Sequence, residues 1–351
     1  MKNTFKQRLD NLIALLPSLG CQGLLIEHPI DLLYLTGLEL SAGKLCVSSK
    51  RTCLIVDGRY YDACRDAAPC PVEKLDEDVL QKLVADVSIQ QIAFDSKTTS
   101  YSRFLQLQEA FGKEISLIPI EEPLRPLRLI KDSGELELMR AAGRLCVEGY
   151  NFVASLLKEG VVEEDLALEL ELFWKRHGGK KLSFDPIIAF GANGSMPHYR
   201  AGKGVLKNGM SVLIDIGVTW KHYQSDMTRV VFFGEPDPRI TEIYAIVEEA
   251  KRRALALCKP GTLVGELDEA ARSYIASQGY GDKFTHSLGH GVGLDIHEFP
   301  LIRTTGASSK LPLQAGMVIT IEPGIYLPGV GGVRLEDTIL INSEGYEILT
   351  C

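Results

Sequence analysis

Asp215, Asp226, His290, Glu322 and Glu336 stand in local sequences that direct four carboxylates and one imidazole towards one buried spot. Negative charge at that density needs cations, because an unpaired buried carboxylate is costly to desolvate. Asp215 lies inside the apolar run VLIDIGV, and SVLIDIGVTWKHYQSDMTRVVFF reads as two β-branched runs, 211–218 and 226–233, around a polar turn. With the turn centred on Trp220 and Lys221, Asp215 faces Asp226 across an antiparallel pair, where like charges repel unless a divalent ion lies between them. MVITIEPGIYL, PGVGG and VRLEDTILI repeat the device: a turn centred on Gly329 sets Glu322 opposite Glu336. Pro323 cannot donate to a ladder, so Glu322 belongs at a strand end or edge. His290 comes from HSLGHGVGLDIHE, whose Gly289, Gly291 and Gly293 permit close backbone approach. This oxygen-rich set with one imidazole suits Mn2+, Fe2+, Co2+ or a zinc pair, and no cysteine accompanies it.

IDIGVTWKHYQSDMTR, HSLGHGVGLDIHE, TIEPGIY and GGVRLEDT, in that order and spacing across residues 185–345, resemble the metal-binding signatures of the pita-bread metallopeptidases: methionine aminopeptidase, aminopeptidase P and prolidase. A full extra domain precedes these motifs, which makes the chain most similar to the bacterial Xaa-Pro peptidases. The resemblance implies a dinuclear centre of two divalent ions, Mn2+ foremost with Co2+ or Zn2+ as alternatives. Asp215 would chelate the first metal, His290 and Glu322 the second, and Asp226 and Glu336 would bridge them around a shared water or hydroxide. It further implies substrate-side roles for His198 in NGSMPHYR and His297 in DIHEFP, and a proton shuttle at Glu322. His286 is expected to orient ligands and water. Arg334, two residues before Glu336 and hence on the same strand face, is expected to hold Glu336 or a substrate carboxylate, with Tyr326 supporting the same region. His177 and His222 match nothing and read as surface residues.

The elements that must position these groups fall into two parts. Residues 130–351 carry every motif, and the resemblance implies an α+β pita-bread catalytic domain there. Residues 1–125 alternate strand-like and helix-like segments, as a smaller α/β domain would, and resemble the N-terminal domain of aminopeptidase P, prolidase and creatinase. Expected strands are GLLIE, KLCVS, TCLIVD, QQIAFD and ISLIPI; expected helices run from Asn3 to Leu16, Asp76 to Val87 and Tyr101 to Phe111. EEPLRPLRLIKDSGE marks the boundary, its Asp132 and Glu135 forming a capping-box pattern that opens a long helix. An internal echo at an offset of 101 residues, KEGVVEEDLALEL against KPGTLVGELDEAA, fits the pseudo-twofold symmetry of the implied fold. In HPIDLLYLTG, Asp31 is either an ordinary turn aspartate or, by the resemblance, a cap over a neighbouring subunit's site.

Composition sets the outer limits. The chain has 351 residues, 45% hydrophobic and 24% charged, with a net charge of −8, which argues against nucleic acid as the main partner. Its eight cysteines show no CxxC pair and read as reduced thiols. The apolar patch from Leu12 to Leu16 is interrupted by Asp10 and Asn11 and suits an amphipathic helix better than a signal segment. No apolar run approaches the ~20 residues of a membrane span. A cytoplasmic homo-oligomer acting on peptides with proline at the second position is expected. Three classes stay open: a metal-dependent Xaa-Pro exopeptidase, with aminopeptidase P activity ahead of prolidase activity; a creatinase-like, metal-free hydrolase; and a non-catalytic module on the same fold.

Overall fold

The computed structural model describes residues 2–76, 79–86 and 88–351, which divide into two compact units, 1–128 and 129–351. In the first, strands Gly23–Ile26, Lys44–Ser48, Thr52–Val56, Gln91–Asp95 and Ser116–Ile120 form a mixed sheet with a sixth, Val72–Lys74, at its edge. That edge strand is too short to betray itself by alternation. Helix Tyr101–Phe111 starts on a Ser100 cap that accepts from the Arg103 amide, and turns Leu107 and Phe111 onto Leu25, Ile55 and Ile92 of the sheet. Of the expected helix Asp76 to Val87, residues 77, 78 and 87 lie outside the described residues and Val79–Asp86 is helical. Helices Pro29–Thr36, Tyr61–Ala67 and Arg125–Leu129 were not expected. The first had a readable signature, Pro29 at its start and a left-handed Gly37 at its end. Asp31 therefore sits in a helix, buried, 2.9 Å from Arg128 and 3.5 Å from His28 of its own unit.

The second unit opens with helix Ser133–Ser155, whose capping box is complete: the Glu135 amide donates to Asp132 (2.9 Å) and the Asp132 amide to Glu135 (3.0 Å). Two further helices, Glu163–Arg176 and Val264–Ser277, have the same length and begin 101 residues apart. Each is preceded by a helix and by a residue in an isolated antiparallel bridge, Val162 to Val205 and Leu263 to Pro312. Helical spacing turns Leu166, Leu170 and Trp174 onto Ile188, Ile214 and Ile216 in one half. In the other it turns Val264, Leu267, Ala271 and Ile275 onto Ile319 and Ile339. Behind these helices lie a three-stranded sheet, centred on Met210–Ile216, and a five-stranded one, centred on Val318–Ile321. Among the described residues no helix is long and apolar enough to cross a membrane.

Candidate metal centre

Asp215 and Asp226 come from the first hairpin, but in a different register from the expected one. The reversal is made by Lys221 and His222, both at positive φ (45° and 78°), between Trp220 and Tyr223, whose backbones exchange hydrogen bonds of 2.9 and 3.0 Å. This is the two-residue turn with both centres left-handed, whose twist matches that of the strands. Moving the turn one residue along pairs Asp215 with Thr228 and Ile216 with Met227, so Asp215 does not face Asp226. Asp226 lies just before the strand Met227–Phe233, two residues from Thr228 and so on the same face. The expected single run 211–218 is also broken at Gly217, into Met210–Ile216 and Val218–Thr219.

The second hairpin holds the register that a turn centred on Gly329 dictates. Ile321 pairs with Asp337 in one ladder and Gly324 with Arg334 in the next, which leaves Glu322 and Glu336 opposite each other at the break between the two. Pro323 sits at that break. His290 projects from the strand Gly289–Gly291, where a side chain on Gly289 would meet the Thr320 carbonyl at 2.1 Å and one on Gly291 the Phe299 carbonyl at 2.5 Å. These glycines let the histidine's strand press between its neighbours.

These elements bring the acidic groups and His290 together. One ligand atom from each of Asp226, His290 and Glu336 lies within 4.8 Å of the other two. His290 Nε2 is 3.5 Å from Asp226 Oδ2 and 3.3 Å from Glu322 Oε1. Burial, then the charges of Glu336, Asp215 and Glu322, hold the Asp226 carboxyl well above the usual range. Burial and Glu336 do the same to Glu322, and burial and Asp215 push Glu336 up to about 8. Burial, with His297 nearby, pushes His290 down to about 4, so its Nε2 is a bare lone pair; its Nδ1 lies 3.0 Å from the Gly291 carbonyl. Asp215 Oδ1 and Glu336 Oε1 are buried without any hydrogen-bond partner. Buried carboxylate oxygens without donors, repelling one another beside a neutral imidazole, are a donor set that a divalent cation fits and an apolar core does not.

Around this cluster runs a chain of hydrogen bonds. His286 has Nε2 2.9 Å from the Tyr326 hydroxyl and Nδ1 2.8 Å from the Ser287 carbonyl; burial and Arg334 push it down to about 4. Arg334 is buried and donates to Tyr326 (2.7 Å), to Thr228 Oγ1 (3.2 Å) and to Asp215 Oδ2. Among the acids of the cluster its hydrogen-bond partner is Asp215 and not Glu336, which takes its hydrogen bond from Thr228. His297 is exposed, with its ring 4.4 Å from that of His290 and edge-on to it. His198 is also exposed, on the loop after the 3₁₀ turn Gly191–Ser195, near enough to His286 and His297 to disfavour a positive charge on either.

Several residues at this site escaped the sequence reading. Thr228 Oγ1 donates to Glu336 Oε2 at 2.7 Å, and Thr320 Oγ1 to Glu322 Oε1 at 3.1 Å while accepting from the His290 amide. Both threonines lie two residues from an acid on the same chain, so strand alternation could have found them. Arg229 grips the backbone carbonyls of Thr228 and Glu336 and, with Lys251, neutralises buried Asp337. Nothing local announces that arrangement.

Comparison with known proteins accounts for both units. The model of metallopeptidase family M24 matches residues 137–343, and that of the creatinase/prolidase N-terminal domain matches residues 8–130. The chain is 36% identical over 348 residues to the Xaa-Pro dipeptidase of Pyrococcus furiosus, covering 98% of each sequence. It superimposes on an Xaa-Pro dipeptidase from Bacillus anthracis with a TM-score of 0.94 at 34% identity, over 99% of this chain and 97% of that one. With the X-Pro aminopeptidase of Thermotoga maritima the TM-score is 0.88 at 34% identity, over 98% and 97%. The protein thus belongs to metallopeptidase family M24, with a pita-bread peptidase domain preceded by a creatinase/prolidase N-terminal domain.

Proposed function

We propose that this metallopeptidase hydrolyses the Xaa-Pro bond at the N-terminus of peptides. The observation that carries the reading is the buried cluster of like charges with donorless oxygens on Asp215 and Glu336, with exposed His297 edge-on to His290 at 4.4 Å. Asp215, Asp226, His290, Glu322 and Glu336 would hold two divalent ions, with Mn2+ favoured by the preponderance of oxygen donors. Bound ions there supply Lewis acidity, making a water nucleophilic at neutral pH and polarising the scissile carbonyl. Glu322, whose side chain is 15% exposed at a strand end, takes the proton from the attacking water and passes it to the leaving nitrogen. His198 and His297 donate hydrogen bonds to the oxyanion and the substrate backbone. Arg334 holds Asp215 in place, and the Tyr326 hydroxyl links Arg334 to His286.

Two observations favour different peptide lengths. Arg334 is buried and paired with Asp215, which leaves its charge already matched rather than open to the free carboxylate of a dipeptide; this supports action on longer peptides. Xaa-Pro dipeptidases from Pyrococcus furiosus and Bacillus anthracis, 36% and 34% identical, support dipeptides instead. A proline nitrogen after the scissile bond carries no N–H, so the pocket for it needs no acceptor and can be apolar. Replacing that proline by alanine should cost at least ~10²-fold in kcat/KM. Measuring kcat/KM for Ala-Pro, Ala-Pro-Ala and Ala-Ala-Ala with Mn2+ decides between the lengths. Comparable rates on Ala-Ala-Ala would reject proline specificity.

A further inference from the structure

Glu163 is the first residue of the helix Glu163–Arg176 and is fully buried. Its Oε1 accepts from the Phe190 amide (2.7 Å) and Asn193 Nδ2 (2.9 Å), and its Oε2 from the Tyr199 hydroxyl (2.7 Å) and the Gly202 amide (3.3 Å). Asn193 Nδ2 also reaches the Tyr199 hydroxyl at 3.0 Å. All four donors are neutral and all belong to the stretch 190–202, which carries His198 beside Tyr199. Burial and the Glu163 charge push Tyr199 up to about 12, so its hydroxyl remains a donor. Gly204 lies so close that a side chain there would meet the Glu163 carboxyl carbon at 2.5 Å. Four charge-assisted hydrogen bonds offset the desolvation of one carboxylate.

The architecture itself does not require this charge. In the other half of the domain the helix of equal length, 101 residues on, begins with apolar Val264. What distinguishes the first half is the loop that Glu163 gathers. We propose that Glu163 is a positioning residue for His198: its carboxylate clamps both flanks of the 190–202 loop and so aims the imidazole at the carboxylate cluster. This rests on the reading of His198 as a substrate-side donor.

The test is a double-mutant cycle of Glu163→Gln and His198→Ala in the Mn2+-loaded enzyme, with bound metal measured alongside and histidine ring NMR recorded on the diamagnetic Zn2+-loaded protein. An amide at 163 presents donors to two of the four donors it faces. Glu163→Gln should lower kcat about 10–10²-fold, the scale of a misplaced catalytic group, with metal content unchanged. In the His198→Ala background it should cost nothing further. The His198 ring resonances should shift without substrate. If Glu163→Gln fails to fold, Tyr199→Phe, which removes one of the four donors, replaces it with a smaller loss of the same pattern. Losses that multiply, loss of metal in step with activity, or unmoved His198 resonances would each overturn the proposal. Should His198→Ala prove as active as the parent, the functional reading of His198 fails, and the ring resonances alone then decide whether Glu163 positions it.

Discussion

Glu336→Gln should make the metal-free protein more stable while destroying its activity. Below the ordinary value of 4.5 the carboxyl is protonated in folded and unfolded chains alike, and the fold bears no penalty for it. As pH rises from 4.5 towards about 8, the unfolded chain releases its proton first, so stability falls across that window and the full penalty is present above it. A displacement of that size corresponds to roughly 5 kcal/mol at about 1.4 kcal/mol per unit. Part of it belongs jointly to Asp226 and Glu322, which titrate with Glu336, so one neutralisation should recover about 2 kcal/mol. Glutamine keeps an acceptor for Thr228 and places an amide where Oε1 has no donor, facing acceptors. The assay is thermal unfolding with chelator at pH 8 and pH 5. A rise of roughly 4–8 °C is expected at pH 8, from about 2–4 °C per kcal/mol for a unit of this size, shrinking towards pH 5. Added Mn2+ should reverse the order, because only the parent gains stability from tight binding. A lower midpoint at pH 8 in chelator, or the same gain at both pH values, would refute the account of mutual repulsion.

His290→Ala should lose bound metal, whereas His198→Ala and His297→Ala should retain it and lose about 10²–10³-fold in kcat, as removal of an oxyanion donor does; metal analysis beside kinetics checks this, and equal metal loss in all three contradicts the division of roles. Arg334→Met should leave Asp215 buried without its cation and cost about 3–5 kcal/mol in denaturant unfolding of the metal-free protein, so an unchanged midpoint would mean that Asp215 is held by other contacts.

Much of this centre could be read from short stretches of chain. The capping box at Asp132, the glycines around His290 and the Gly329 turn each act over a few residues, so local chemistry specifies them; symmetric strands about Gly329 leave Glu322 and Glu336 no other pairing. The first hairpin was misread by one residue because a polar run without glycine conceals which two residues take positive φ, and only the closed ladder selects Lys221 and His222. Packing between distant segments decided the rest. Thr228 meets Glu336, Thr338 donates to the Asp226 carbonyl, and Arg334 reaches Asp215 across more than a hundred residues. Glu163 and its donors lie on opposite sides of a helix in the chain order. Sequence by itself therefore determined which residues carry charge and which way each strand presents them. The tertiary structure decided which partner each charge meets, because a buried ion takes its partner from whatever the fold places nearest, and that is a property of packing and not of spacing.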